Sequence, residues 1–208
     1  DLSARQIGPA IMSGRISDME NHPTDPMIIY AGSAGGGVWK SNDAGTTFYP
    51  IFDDHAQSIG AIELDPNDPN NTIYVGTGEP WPRNSVSVGD GLYKSTDGGN
   101  NWKKIGLENS ERIANIIVNP KDSNEIFVAV LGALWSDSNE RGVYKSSDGG
   151  KTWIPSGFSI SDSEIDYWIV INNEFLRYFQ IKILKKFLQE NRRKFKIVQS
   201  RKNINNNR

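Results

Sequence analysis

The 208-residue chain has no cysteine and two histidines, which excludes a disulfide framework and thiolate metal centres and leaves little room for histidine-based metal sites. Aromatic residues make up 10%, too many for a disordered polymer, and no run of about 18 apolar residues offers a membrane span. The formal charge of −2 hides a division: residues 1–158 carry 12 Lys+Arg against 20 Asp+Glu, and residues 159–208 carry 11 against 5. All 20 glycines and all 10 prolines fall at or before Gly157, so two kinds of sequence meet near there.

From the N-terminal side, "RISDMENHPTDPMIIYAG" (15–32) gives a short apolar run, a polar turn with proline, then a β-branched and aromatic run. A small, flat stretch follows, and then "WKSNDAGTTF" (39–48). The pattern returns as "SIGAIELDPNDPNNTIYVG" (58–76) with "YKSTDGGNNW" (93–102), and as "RIANIIVNPKDSNEIFVAV" (112–130) with "YKSSDGGKTW" (144–153). The aspartates of the three boxes are Asp43, Asp97 and Asp148, with spacings of 54 and 51. In the second copy four strands are predicted near 59–64, 72–76, 91–96 and 101–105, joined by turn formers at 65–71 and 97–100. Four antiparallel strands repeated every ~50 residues is the period of a β-propeller blade. The fold class is therefore all-β, with three blades of a partial propeller within 1–158 and boxes at 41–48, 95–102 and 146–153.

The box has a structural reading. Glycine supplies φ > 0 in the tight turn between strands three and four. The Asp carboxylate accepts hydrogen bonds from turn N–H groups two and three residues on, and the Ser hydroxyl does the same from the other side. The aromatic starts strand four and wedges between neighbouring sheets. Ser41, Asp43, Gly45 and Phe48, then Ser95, Asp97, Gly99 and Trp102, then Ser146, Asp148, Gly150 and Trp153 are read this way. A catalytic or calcium-binding role would not need one copy per blade.

After "TWIPSG" no fourth copy begins. Apolar residues recur at helical spacing through Ile165, Trp168, Phe175, Phe179, Ile183 and Phe187, with lysines and arginines clustered late. One reading of 159–208 is a basic amphipathic helix for a membrane surface or a partner. The favoured one is a tail not native to the fold, because loss of Gly and Pro with gain of Lys, Asn and Ile is what an out-of-frame reading of A/T-rich DNA gives. Three blades leave open sheet edges, which predicts an oligomeric or poorly soluble chain.

Ser-x-Asp-x-Gly-x-x-Trp, present in three in-phase copies over residues 5–155, resembles the Asp-box, also called the BNR repeat. The wording of "RQIGPAIMSGRI" (5–16), "GTGEPWPRNSVSVGDGLYKSTDGG" (76–99) and "LGALWSDSNERGVYKSSDGGKTW" (131–153) is similar to the bacterial sortilin-like Asp-box propellers. The resemblance implies a propeller fold and an extracellular or periplasmic parent protein. It leaves activity open, since the wider group holds sialidases, xyloglucan-degrading enzymes and the ligand-binding domain of sortilin. In the xyloglucan-degrading members a catalytic Asp follows the second strand of an early blade, shortly before a Gly-Gly. The matching slot here is Ser33 and Ala34. The sialidase arginine triad has Arg15 and Arg112 as stand-ins, without a locatable Tyr–Glu pair.

Alternating strands put the one-to-two and three-to-four turns at one end, and the two-to-three loops and four-to-one links at the other. Binding is expected at the second end, where the copies differ. Glu79, Trp81, Arg83 and Asn84 are the first ligand-binding candidates: a Trp between prolines offers a flat apolar surface, and Arg forks a carboxylate. Trp135, Asp137 and Arg141 form a second cluster, and Arg15 is expected from the same side. The leading reading is a ligand-binding module for a glycan or a protein segment. The alternative is a sialidase-like or xyloglucanase-like glycoside hydrolase whose catalytic pair is incomplete in this chain, and no catalytic residue is assigned. No cofactor, metal or nucleic-acid partner is expected. The missing blades of the parent propeller are.

Overall fold

The computed structural model describes residues 15–81 and 86–156. Arg83, Asn84 and the tail from 159 onward lie outside the described residues. The described ones all belong to the first of two units, Asp1–Asp162.

Twelve strands and no helix occupy the described residues. β1 (Ile16–Asn21), β2 (Ile29–Ser33), β3 (Val38–Ser41) and β4 (Tyr49–Pro50) form one antiparallel sheet in chain order. β5 (Ile59–Leu64), β6 (Thr72–Thr77), β7 (Leu92–Thr96) and β8 (Lys103–Gly106) form the second. β9 (Ile113–Asn119), β10 (Asp122–Val130), β11 (Gly142–Ser146) and β12 (Ile154–Pro155) form the third. Each is the four-stranded meander expected of a propeller blade. The first three strands of the second copy fall within a residue of their predicted positions.

The fourth strand differs. It starts after the box aromatic, at Tyr49, Lys103 and Ile154, and not on it. The Asp carboxylate takes the N–H of the residue just before the aromatic, as at Thr47, Asn101 and Thr152. This holds the chain in the turn for longer than a simple hairpin would.

The sheets pack side by side, β5 against β1 and β2, and β9 against β5 and β6. Their registers coincide. Ile16 faces Ser33, Ile59 faces Thr77, and Ile113 faces Val130, each beside a bulge. Between the first and second sheets lie Tyr30, Val38, Phe52, Ile59, Ile62 and Val75. Between the second and third lie Tyr74, Leu92, Ile113, Ile116, Ile126 and Val128. Each of these side chains, removed from water, contributes about 1.5–3 kcal/mol.

The approach is close because glycine lines the receiving strand. A β-carbon on Gly32 would stand 2.7 Å from Ile59 Cγ2, and one on Gly76 would stand 2.3 Å from Ile113 Cγ2. Gly76→Ala should therefore prise β6 from β9, at about 1–3 kcal/mol for an overpacked core. Urea unfolding measures this. Gly35→Ala, which meets nothing within 4 Å, should leave the midpoint in place.

Candidate functional site

The repeated boxes sit in the turns between strands three and four, at the same end as the one-to-two turns. The amides of Ala44, Gly98 and Gly149 donate to the carbonyls of Met27, Asn71 and Asn124, at 2.9, 2.9 and 3.0 Å. Within each box the serine hydroxyl donates to Asp Oδ1 at 2.8 Å and accepts from the second turn residue's amide, that of Gly45, Gly99 or Gly150. The other carboxylate oxygen accepts from Thr47, Asn101 or Thr152 side chains at 2.6 Å. Gly98 and Gly99 have φ of 72° and 94°, the left-handed backbone this turn requires. These bonds hold all three carboxyls below the ordinary aspartate range, led by the side-chain donor. Asp97 is lowered to about 2.

The box aromatics reach back to the preceding sheet. Trp102 Nε1 donates to the Ile51 carbonyl at 2.7 Å, and Trp153 Nε1 to that of Ile105 at 2.8 Å. Trp102 also meets Phe52 edge to face. The box lysines reach forward: Lys40 Nζ donates to the Gly98 carbonyl at 3.1 Å and Lys94 Nζ to that of Gly149 at 3.4 Å. Lys40 lies over the Tyr30 ring and Lys94 over Tyr74. The serine and aspartate of each box are thus engaged in their own turn, and Trp102, Trp153, Lys40 and Lys94 in a neighbouring sheet.

The opposite end is built by the two-to-three loops bonded to the four-to-one links. The amides of Gly37, Gly78 and Gly89 donate to the carbonyls of Gln57, Ser58 and Glu111. Among the candidates here, Trp135 is 80% exposed and Trp81 38%, and Asp137 is open to solvent. Glu79 is different. It is buried, and its carboxylate pairs with Arg15 from the strand entrance of the first sheet. Arg141 is also turned inward, its guanidinium donating to the carbonyls of Leu131 and Ala133. Arg112, at the start of the third sheet, donates to the Gly132 carbonyl and pairs with Glu111. The structure therefore offers Trp81, Trp135 and Asp137 outward, and uses Glu79, Arg15, Arg112 and Arg141 to brace the loops that carry them. Ser33 and Ala34 are buried at the end of β2, Ser33 bonding through its amide to Gly37, so no carboxylate stands there.

Two groups of ionisable residues stand out in the structure and not in the sequence. Asp90 accepts from Tyr93 Oη at 2.7 Å and Lys104 Nζ at 2.5 Å. Burial opposes its charge, but Lys104 and Tyr93 prevail and its carboxyl is lowered. On the first strands, the Asp18 carboxylate accepts from the Ile62 amide of the next sheet at 2.8 Å. Glu63 repeats this toward the Val118 amide and is pushed up to about 8, by burial first and then by Glu20. Strand register alone brings Glu20, Glu63 and Asp18 together, so periodicity gives no warning of them.

No family model matches the chain. It is 26% identical over 189 residues to an oligoxyloglucan-reducing end-specific xyloglucanase of Emericella nidulans, covering 80% of this chain and 21% of that protein. It is 30% identical over 105 residues to a xyloglucanase of Acetivibrio thermocellus, covering 40% and 12%. The chain thus spans about a fifth or less of the curated relatives it matches. Among solved structures it resembles an ancestral GH74 enzyme, with TM-score 0.56 at 19% identity, covering 72% of this chain and 19% of that one. It also resembles the GH74 enzyme of Niastella koreensis, with TM-score 0.51 at 23% identity, covering 73% and 23%. These likenesses show the fold: the three sheets are β-propeller blades.

Two outcomes follow. Arg15→Ala strands a buried carboxylate and should cost about 3 kcal/mol, read by urea unfolding, with Glu79→Gln in the same background recovering part of the loss. Glu63 has a folded pKa above its unfolded one, so its contribution to stability is complete below about 4.5 and is lost as pH rises toward about 8. Glu63→Gln should flatten the stability profile across that window and raise the midpoint at pH 9, as thermal melts at stepped pH would record.

Proposed function

We propose that the chain is part of a glycoside-hydrolase-type Asp-box propeller acting on a β-linked polysaccharide of the xyloglucan kind. In this reading the three blades supply a sugar-binding rim, and at least one catalytic carboxylate comes from outside the described residues. The observation that carries it is the 26% identity to a xyloglucanase running through 80% of the chain. It favours the hydrolase over a free-standing binding module, and polysaccharide over the protein segment that a sortilin-like module would take. One further feature supports it: Trp81 and Trp135 present flat apolar rings on loops of the same end, a surface suited to the apolar face of a pyranose. Ser33 and Ala34, where the xyloglucan-degrading relatives carry an acid, count against cleavage by these blades alone, since glycoside cleavage needs two carboxylates about 5–9.5 Å apart. The same reading puts the parent protein outside the cytoplasm, where such a polysaccharide is met.

Affinity electrophoresis in soluble xyloglucan tests the rim. Trp135→Ala and Trp81→Ala should each weaken retardation about 10-fold, or ~1.4 kcal/mol, while Phe48→Ala at the opposite end should not. Reducing-end release by the full-length parent tests the chemistry. Retardation without any release would return the protein to the binding-module class, and neither effect would move the site elsewhere.

A further inference from the structure

The loop end sorts its charges by sign. The arginines described there are engaged by the protein itself. Arg15 pairs with Glu79. Arg112 is buried between Glu111 and the Gly132 carbonyl, and Arg141 is buried on the carbonyls of Leu131 and Ala133. Lys104, which reaches the same end, is held by Asp90. Each of these cations is matched by a carboxylate or by backbone dipoles.

The carboxylates that face outward sit on the loops that carry the two tryptophans or on the links beside such loops. Asp137 is exposed two residues from Trp135. Glu108 is exposed on the link that packs against the Trp81 loop. The Glu111 carbonyl of that link accepts the Gly89 amide, and a β-carbon on Gly91 would stand 3.2 Å from Glu108 Cα. Asp53 and Asp54 are exposed on the preceding link, whose Gln57 carbonyl accepts the Gly37 amide. Among the described residues no ion pair takes up any of these four acids. The face of an indole ring is itself negative and attracts cations, so rings and acids act with the same sign.

We propose that this end selects its glycan by charge: it admits neutral chains and cationic ones, such as amino-sugar polymers, and rejects chains bearing carboxylate or sulfate groups. The inference rests on the sugar-binding rim proposed above and adds the sign of its ligand. Recognition of an acidic sugar uses a guanidinium fork turned toward the ligand. Arg15 and Arg112, the positions a sialidase-like site would use, are both turned to carboxylates of the protein. The outward acids act beyond contact, over a screening length of about 8 Å at physiological salt. An anionic chain is therefore repelled before its rings reach the tryptophans. A neutral pyranose feels no such field and stacks.

Isothermal titration of the full chain tests this with three forms of one polymer: soluble xyloglucan, the same polymer partly carboxymethylated, and the same polymer carrying quaternary ammonium groups. The deciding comparison is between the wild type and the triple variant Asp53→Asn, Asp54→Asn, Glu108→Gln. The basic residues of 159–208 are common to both proteins and cancel in the ratio. The variant should bind the carboxymethylated polymer at least about threefold more tightly and the quaternised one about threefold more weakly, with the neutral polymer unchanged. Both differences should fade between about 0.01 M and about 1 M salt, as the screening length falls from about 30 Å to about 3 Å. Binding of the neutral polymer with no change on either charged form overturns selection by charge and leaves the rim standing. A variant that loses the neutral polymer, with its fold intact by far-UV circular dichroism, puts these acids in direct contact with the sugar and also overturns it. A wild type that binds no neutral polymer overturns the rim, and this inference with it.

Discussion

Everything in this structure depends on how closely two sheets approach at the level of their first strands. β5 and β9 share no backbone ladder with the sheet before them, so the contact rests on side-chain packing. Isoleucine delivers the packing, and glycine on the second strand of the preceding sheet makes room for it. A β-carbon there would fall within 2.7 Å of the isoleucine, which no rearrangement of a dense interior absorbs cheaply. The glycines of β2 and β6 are thus constraints on the distance between sheets, and the turns, loops and lysine contacts are arranged around that distance.

Charge follows the same logic. Where first strands lie side by side, their edge amides have no strand partner in the neighbouring sheet. Asp18 and Glu63 meet that need by accepting from Ile62 and Val118. A carboxylate in such a place is there to satisfy an amide that would otherwise be buried unpaired. The box aspartates do related work in open water, each taking turn amides, a serine hydroxyl and a threonine or asparagine side chain. One group is drawn toward the neutral form by burial and the other is held ionised by donors, so the two kinds of acid answer pH in opposite directions.

The architecture was legible in the sequence because it is periodic. Alternating apolar runs, a proline turn and a Ser-x-Asp-x-Gly-x-x-aromatic box recur in phase, and each has a local physical cause. The small error at the fourth strand came from ending the turn at residue 100 and taking the aspartate's partners as amides two and three residues on. The aspartate in fact binds an amide four residues on and delays the strand. The candidate site was legible only in part. Trp81 and Trp135 are exposed on the loops where variation between copies placed them. Glu79, in the same loop as Trp81, is buried against Arg15, more than sixty residues earlier in the chain. That pairing arises from the adjacency of sheets, and no local pattern encodes it. The Glu20–Glu63–Asp18 grouping escaped for the same reason.

The division of labour between the two ends narrows where chemistry can occur. At the box end the three box aspartates are bound into their own turns, and Lys40 and Lys94 into the next sheet. At the loop end, buried Arg112 and Arg141 clamp carbonyls, the partly exposed Arg15 holds Glu79, and the clamped loops present aromatic rings. Under the reading proposed above, this apolar-faced rim holds an extended sugar chain. It does not by itself polarise a glycosidic bond, which needs a protonated acid on one side and a carboxylate on the other. Asp137 is solvated on its loop, and Asp53 and Asp54 are exposed on a link in another sheet. Under that reading the three blades grip, and the acid for cleavage comes to the rim from outside the described residues.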